Sequence, residues 1–394
     1  MIQKVIPFSG VGFAYGEEEI KVVADAMRAS DTLTQGNFQK QFELDFASFL
    51  EVPFAFATSS AATAIELAAI LFKVKTGDEV IIPAHTYAAS AYPFARHGAR
   101  IVWADIDPDE FVVNLNAIKK LITKKTKVVV LVHLYGLPVD TQEIVDFCNN
   151  LGIYVLEDCA QAIGARENGK IVGSLGNISV FSFQSHKNIS TLGEGGMIAF
   201  SDPNWAEVLP GLRHNGHRPF KIEPEMYWSP AMSDVEFDIP GVWPHNFCLG
   251  EVQCALGSHL LTKVDEINQK RRERFRQATT FFQGNTKLKF QEIPTNKVSA
   301  HHLLPFKFMS SNYKSGADMV FKRLVEEFGI RPAKQYYPLY RYGLFSKSGN
   351  GVAEVPNTDD FYDNMVSLPF HHWMPDEDFE YLLESVETVC REVD

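Results

Sequence analysis

Cysteine is scarce in this chain. Five residues (Cys148, Cys159, Cys248, Cys254 and Cys390) occur among 394, an odd number with no CxxC spacing. That argues against a disulfide frame and fits reduced thiols in a cytoplasmic protein. No run of about 18 apolar residues occurs, so no membrane-spanning helix and no membrane partner is expected. The opening Met1-Ile-Gln-Lys4 lacks the charged-then-apolar pattern of a signal peptide. Positive charge is in the minority: 37 Lys and Arg against 49 Asp and Glu leave a net charge of −12. Nucleic acid would be repelled rather than steered in. The pairs His301-His302 and His371-His372 show neither HExxH nor i, i+4 spacing, so no metal is expected. Internal repeats and low-complexity tracts are absent as well.

What is present is a globular composition, 45 % hydrophobic and 22 % charged, on a chain long enough for two domains. Residues 17–29 carry Ile20, Val23, Ala24 and Met27 at helical spacing, and a second helix places Phe42, Phe46 and Phe49 on one face. Strands and helices then alternate. Strands are expected at 54–57, 79–83, 100–104, 128–132, 153–156, 178–183 and 197–200. Helices are expected at 61–72, 88–96, 114–121 and 204–213. A further helix near 144–151 is expected to start at Asp140, with Glu143 at capping-box spacing, and to stop at Gly152. Continuous apolar strands between helices predict an α/β fold, a mostly parallel sheet covered on both faces. A proline-rich segment, 217–245, is long for a loop and is expected either to contact substrate or to form a flap against a partner subunit. Helical patterning from Leu249 to Phe282 leads into a sparser region. Strands near 287–290 and 302–308, and helices at 317–327 and 376–392, make it a smaller α+β unit. The expected division is 1–245 and 246–394.

Ligands of open α/β sheets bind beyond the carboxyl ends of the strands. Five expected strands end in polar or aromatic residues. Ser60-Ala61-Ala62-Thr63 opens a helix, where the N–H groups of Ala62 and Thr63 suit an anion, although an ordinary Ser/Thr cap reads the same way. Tyr87 follows the second strand and offers a flat ring, or a core aromatic. Asp158 can hold a protonated heterocyclic nitrogen, or cap the segment after it. Lys187 sits in a loop before Gly193-Glu-Gly-Gly196; it can form an imine with a carbonyl once desolvated, or be a surface lysine in a turn. Anion cradle, ring, carboxylate and amine together fit pyridoxal 5'-phosphate.

In this order the motifs resemble the DegT/DnrJ/EryC1/StrS family of sugar aminotransferases, which are pyridoxal-phosphate-dependent enzymes of fold type I. The match runs over nearly the whole chain: Leu33-Thr-Gln-Gly36, Ile82-Pro-Ala-His-Thr-Tyr87, Ala104-Asp-Ile-Asp-Pro-Asp109, Val132-His-Leu-Tyr-Gly136, Glu157-Asp-Cys-Ala-Gln-Ala162, Phe181-Ser-Phe183 with Lys187, Tyr337-Pro-Leu-Tyr340 and Ser367-Leu-Pro-Phe370. The resemblance implies that Lys187 holds the cofactor and shuttles protons, and that Asp158 meets the pyridine nitrogen. It places Gln161 near the ring's 3-oxygen, Tyr87 on the ring face and Ser182 on the phosphate. It also implies that Asn246 reaches the phosphate of a neighbouring subunit, hence a homodimer with shared active sites. Two departures stand out. A hydroxyl of the usual phosphate turn is replaced by Ala62, and Asn246-Phe247-Cys248 stands where the family often has Asn-x-Arg. The implied activity is amino transfer from glutamate (or glutamine) to a keto-sugar, most often nucleotide-linked, for surface-polysaccharide or secondary-metabolite amino sugars. Alternatives are a pyridoxamine-phosphate-dependent sugar dehydratase, transamination of a keto-inositol or free keto-sugar, or a non-catalytic regulatory protein that retains the cofactor.

Overall fold

A computed structural model describes residues 4–8, 14–217, 241–309 and 316–392. Most of the proline-rich segment, from 218 to 240, lies outside the described residues. The main sheet has seven strands. Its first five are β1 (Phe54–Thr58), β2 (Glu79–Pro83), β3 (Arg100–Ala104), β4 (Thr126–Val132) and β5 (Tyr154–Asp158). After a short hairpin, β6 (Arg166–Glu167) and β7 (Lys170–Ile171), come β8 (Ile178–Ser182) and β9 (Gly196–Phe200). The order is β1-β9-β8-β5-β4-β2-β3, and only β9 runs antiparallel to its neighbours. The mostly parallel sheet expected from the continuous apolar strands is therefore present. Val128, Val129, Val155, Ile178 and Val180 have essentially no exposure, as strands covered on both faces must.

Two helices come first, α1 (Glu17–Ala29) and α2 (Asn37–Leu50); α3 (Ala61–Leu71) leaves β1 directly. The phenylalanine stripe on α2 supports the lysine loop from below. Phe46 lies 4.9 Å from Phe181 and 5.7 Å from Phe183, centroid to centroid, and Phe42 lies 5.3 Å from Phe183. Such fully buried rings each contribute about 1.5–3 kcal/mol by burial alone. The helix over 88–96 is shorter than expected: a 3-10 turn at Ala88–Ser90, then α4 (Tyr92–Arg96). Helix α5 spans Leu115–Lys119.

The cap expected for the next helix differs in detail. Helix α6 (Thr141–Asn149) has Asp140 at its N-cap, but the Asp140 side chain accepts no cap hydrogen bond. Its carboxylate instead pairs with buried Lys297 at 2.9 Å, and Glu167 accepts from the Thr141 N–H at 3.0 Å. A buried ammonium needs an anion more than one helix amide does, and a second carboxylate was within reach of that amide.

After α7 (Pro203–Arg213), the helical region expected over 249–282 is two helices, α8 (Glu251–Leu261) and α9 (Val264–Phe281). Helix α8 packs on α2 so closely that a Cβ at Gly257 would stand 2.6 Å from the Phe42 ring. A separate three-stranded sheet, β10 (Leu288–Phe290), then β12 (Leu304–Phe308) and β13 (Met365–Leu368) beyond the short β11 (Lys297–Val298), has the order β10-β12-β13. With helices α10 (Gly316–Phe328) and, further on, the C-terminal Asp376–Glu392 it encloses its own apolar core, including Phe306, Val320, Val366, Phe379 and Val386. The first half of α9 packs with the α2 core and its second half, from Phe275, with this smaller one. Helix α9 therefore bridges the two.

Candidate active site

Three chain segments meet at the carboxyl edge of the main sheet. Register places Thr58 of β1, Gly196 of β9 and Ser182 of β8 side by side. Gly196 is required there: a Cβ would lie 2.3 Å from the Ser60 carbonyl carbon and 2.6 Å from the Ala61 nitrogen. The N-terminus of α3 is thus pressed against β9, beside the Ser182 hydroxyl. Ser60, Ala61 and Ser182 border a cleft of about 840 Å³, a size suited to a small ligand.

Ser60 caps α3. Its side chain accepts from the Thr63 N–H at 3.2 Å, while the Ser60 N–H donates to Thr63 Oγ1 at 3.1 Å. The cap alternative for this segment therefore holds. The cap is real and consumes the Thr63 N–H and hydroxyl; Ala61 and Ala62 still face the cleft. Thr63 is not among the cleft's lining residues.

Lys187 lies in the β8–β9 loop, partly buried, on the wall of the cleft. Burial lowers its ammonium to about 8, against the opposing pull of the Asp158 and Glu194 carboxylates. Asp158 ends β5 and is 5 % exposed. It accepts from Ser90 Oγ–H at 2.7 Å and from the Ala160 N–H at 3.1 Å. Burial raises its pKa, and those two donors and the Lys187 charge work against the rise. Gln161 is fixed at both ends: its Oε1 accepts from the Tyr135 N–H at 2.8 Å and its Nε2 donates to Tyr336 Oη at 2.9 Å. Tyr87 borders the cleft with 61 % of its surface exposed, its ring 5.9 Å from that of Tyr336.

The cleft thus brings together Lys187, Asp158, Gln161, Ser182, Tyr87 and Ala62. Asn246 is exposed, outside the lining, and its backbone bridges to His214. Next to it the Phe247 carbonyl accepts from the Ser59 N–H at 2.7 Å. Cys248 lies half-buried against the Arg213 carbonyl.

Sequence reasoning missed several lining residues. Ser90 lies three residues past Tyr87 in the same polar stretch and was within reach of the pattern. Tyr336 directly precedes the Tyr337-Pro-Leu-Tyr340 motif. Arg271 gave no signal, because Lys270-Arg-Arg-Glu-Arg274 reads as a solvated helix face. His302, His371 and Trp373 also border the cleft.

The donor set fits pyridoxal phosphate. Asp158 is a buried carboxylate held only by neutral donors, an environment that a protonated ring nitrogen would complete. Gln335 Oε1 is buried at the same cleft with no hydrogen-bond partner among the described residues. The backbone N–H of Ala62 and the Ser182 hydroxyl suit a phosphate.

Comparison with known proteins agrees. Residues 14–387 match the DegT/DnrJ/EryC1/StrS aminotransferase family. The chain is similar to a UDP-N-acetyl-3-dehydro-alpha-D-glucosamine 3-aminotransferase of Acidithiobacillus ferrooxidans, 39 % identical over 85 % of this chain and 84 % of that protein. It is 30 % identical to a GDP-perosamine synthase of Caulobacter vibrioides over 93 % of this chain and 94 % of the other. Its fold matches Spr1654 of Streptococcus pneumoniae in the PMP form, with a TM-score of 0.89 and 26 % identity over 99 % of this chain and 100 % of that one. With its family motifs in order and its lysine, aspartate and glutamine gathered in one cleft, the chain belongs to the DegT/DnrJ/EryC1/StrS aminotransferase family and is a pyridoxal-phosphate-dependent aminotransferase.

Proposed function

We propose that the enzyme moves an amino group from glutamate to the keto group of a nucleotide-linked sugar. The observation that carries the reading is the shared cleft of Lys187 and Asp158, a desolvated amine facing a buried carboxylate. The names of the relatives support the substrate class, since two of them act on, or make, UDP- and GDP-linked amino sugars.

Bound pyridoxal phosphate would supply the electron sink that makes the donor's α-carbon proton acidic. The chain's residues do the rest. Lys187 Nζ accepts that proton and returns it, and a pKa near 8 suits both directions near neutral pH. Asp158 would hold the pyridine nitrogen's proton, with Ser90 occupying its Oδ2 and leaving Oδ1 to the ring. Gln161, clamped between Tyr135 and Tyr336, is positioned for the ring's 3-oxygen. Tyr87 covers the ring face. Ser182 and the Ala62 N–H would hold the phosphate, with Thr63 contributing by capping the helix that presents Ala62. Asn246 serves the cleft of a second copy, in a cytoplasmic homodimer; its exposure away from its own cleft supports that reading. Exposed Trp243, three residues earlier, lies on the same segment.

The test is an absorbance spectrum of the purified protein before and after glutamate, with Lys187→Ala alongside. The expected result is a visible band of lysine-bound cofactor that bleaches with glutamate and returns on adding a UDP- or GDP-linked keto-sugar. A protein that takes up no pyridoxal phosphate would overturn the reading. A band that returns only with keto-inositols or free keto-sugars would replace the sugar nucleotide as acceptor.

A further inference from the structure

Arg271 is the largest fully buried side chain of the described residues, 1 % exposed, yet it borders the cleft. Its Nη1 donates to the carbonyls of His301 and His302 at 3.2 and 3.0 Å. Its Nε is buried with no hydrogen-bond partner among the described residues. Among the described residues no carboxylate lies within ion-pair distance of it. Its nearest neighbours are uncharged: the Phe370 ring at 5.6 Å, and the imidazoles of His301, His302, His371 and His372, all held below their usual range first by burial and then by this guanidinium and by other cations nearby, Lys187, Lys270, Arg272 and Arg274 among them. Burial also lowers the guanidinium itself, to about 9, which leaves it charged at neutral pH.

A buried cation without an anion is costly, and its desolvation is repaid when a matching anion arrives. The position fits a reacting substrate. Asn268, three residues before Arg271 on the same face of α9, accepts from Asn188 Nδ2 at 2.8 Å. Asn188 follows Lys187 directly, and its Oδ1 meets His302 Nδ1 at 3.2 Å. One turn of α9 therefore links the lysine loop to Arg271. The guanidinium fork matches a carboxylate with two parallel hydrogen bonds.

We infer that Arg271 anchors a carboxylate of the amino donor, an amino acid bearing two carboxylates, as glutamate does. The inference rests on the transaminase reading above and names the donor's binding residue. Arg271 contacts the donor only, so the keto-sugar's half of the reaction does not depend on it.

The test uses the cofactor-loaded dimer and glutarate, an unreactive dicarboxylate, with binding measured by calorimetry. Arg271→Met is expected to weaken glutarate, and the glutamate concentration that half-saturates bleaching, on the order of 10- to 100-fold. Arg271→Lys keeps the charge and the reach to the 301–302 carbonyls but loses the fork, so glutarate weakens by about 3- to 10-fold. A merely structural arginine predicts a lowered melting temperature with glutarate affinity unchanged in Arg271→Lys, and that result overturns the inference. Loss of sugar-nucleotide binding with glutarate unaffected overturns it too. Failure of wild type to form the cofactor band sinks the transaminase reading itself, whereas a band that glutamate bleaches equally in wild type and both variants sinks only the role of Arg271.

Discussion

The end of the cleft proposed to hold the cofactor is built from strand ends. Asp158 closes β5, Ser182 closes β8, Ala62 opens the helix after β1, and Lys187 follows β8 within a few residues. The rest of the wall comes from later parts of the chain, α9, residues 302–303, and the segments 335–336 and 370–373. Of those, α9 and the 302–303 stretch carry no local motif, while Tyr336 and Phe370 sit at the edges of the Tyr337-Pro-Leu-Tyr340 and Ser367-Leu-Pro-Phe370 motifs. The comparison teaches how the fold divides labour. The parallel sheet fixes the chemistry by backbone register, while the later elements close over it and shape what enters.

Lys187→Ala should mark the proposed cofactor end most severely. Loss of the group that carries the α-proton is expected to slow glutamate-dependent bleaching by about 10²- to 10⁴-fold, read by stopped-flow absorbance with reconstituted cofactor. A residual rate within tenfold of wild type would mean another group moves the proton, and the two parts of the wall would no longer be distinct in role. Asp158→Asn removes the carboxylate proposed to face the ring nitrogen. A loss of roughly 10²-fold in the same assay is expected, because the partner charge is left uncompensated in a buried site. Ser90→Ala tests the support behind Asp158. A hydrogen bond to a buried carboxylate is lost, so an about tenfold decrease is expected, with the cofactor band displaced because the carboxylate is free to turn. A tenfold loss without spectral change would make Ser90 merely structural.

On the other side, Tyr336→Phe frees the Gln161 amide from its neutral partner and should cost only a few-fold, about 1 kcal/mol. An effect as large as that of Asp158→Asn would erase the contrast between the two parts.

The pH dependence of the cofactor-free protein sharpens the same point. Lys187 titrates near 8 when folded and near 10.5 when unfolded. Below about pH 8 both states carry the proton, and the folded state bears the full penalty of burying it. Between about 8 and 10.5 the unfolded chain holds the proton that the folded chain has released, so stability rises with pH. The gap in unfolding midpoint between Lys187→Met and wild type should therefore narrow across that window in denaturant titrations. A constant gap would mean that the lysine is not desolvated. Smallest of all, Thr63→Val removes half of the reciprocal cap of α3 and is expected to cost about 1 kcal/mol of stability while leaving the lysine-dependent step intact.

The sequence alone determined the alternation of elements, the mostly parallel sheet and, from polar residues placed just past the apolar strand runs, that Ala62, Tyr87, Asp158 and Lys187 meet at one cleft, while Gln161 and Ser182 were pointed to only by the family resemblance. The α2 phenylalanines were legible too, through helical spacing. The fate of Asp140 was not. Its spacing to Glu143 fits a cap, but Lys297, distant in the chain, claims the carboxylate, and only burial of that ammonium decides the competition. Arg271 was hidden for a related reason. A run of charged residues on a helix is ordinarily solvated, and the tertiary structure alone turned one of them inward, against Phe370 and the 301–302 carbonyls. Local pattern encodes which residues a strand or helix presents; which groups lose water, and therefore which charges must find partners, is set only when distant elements pack together.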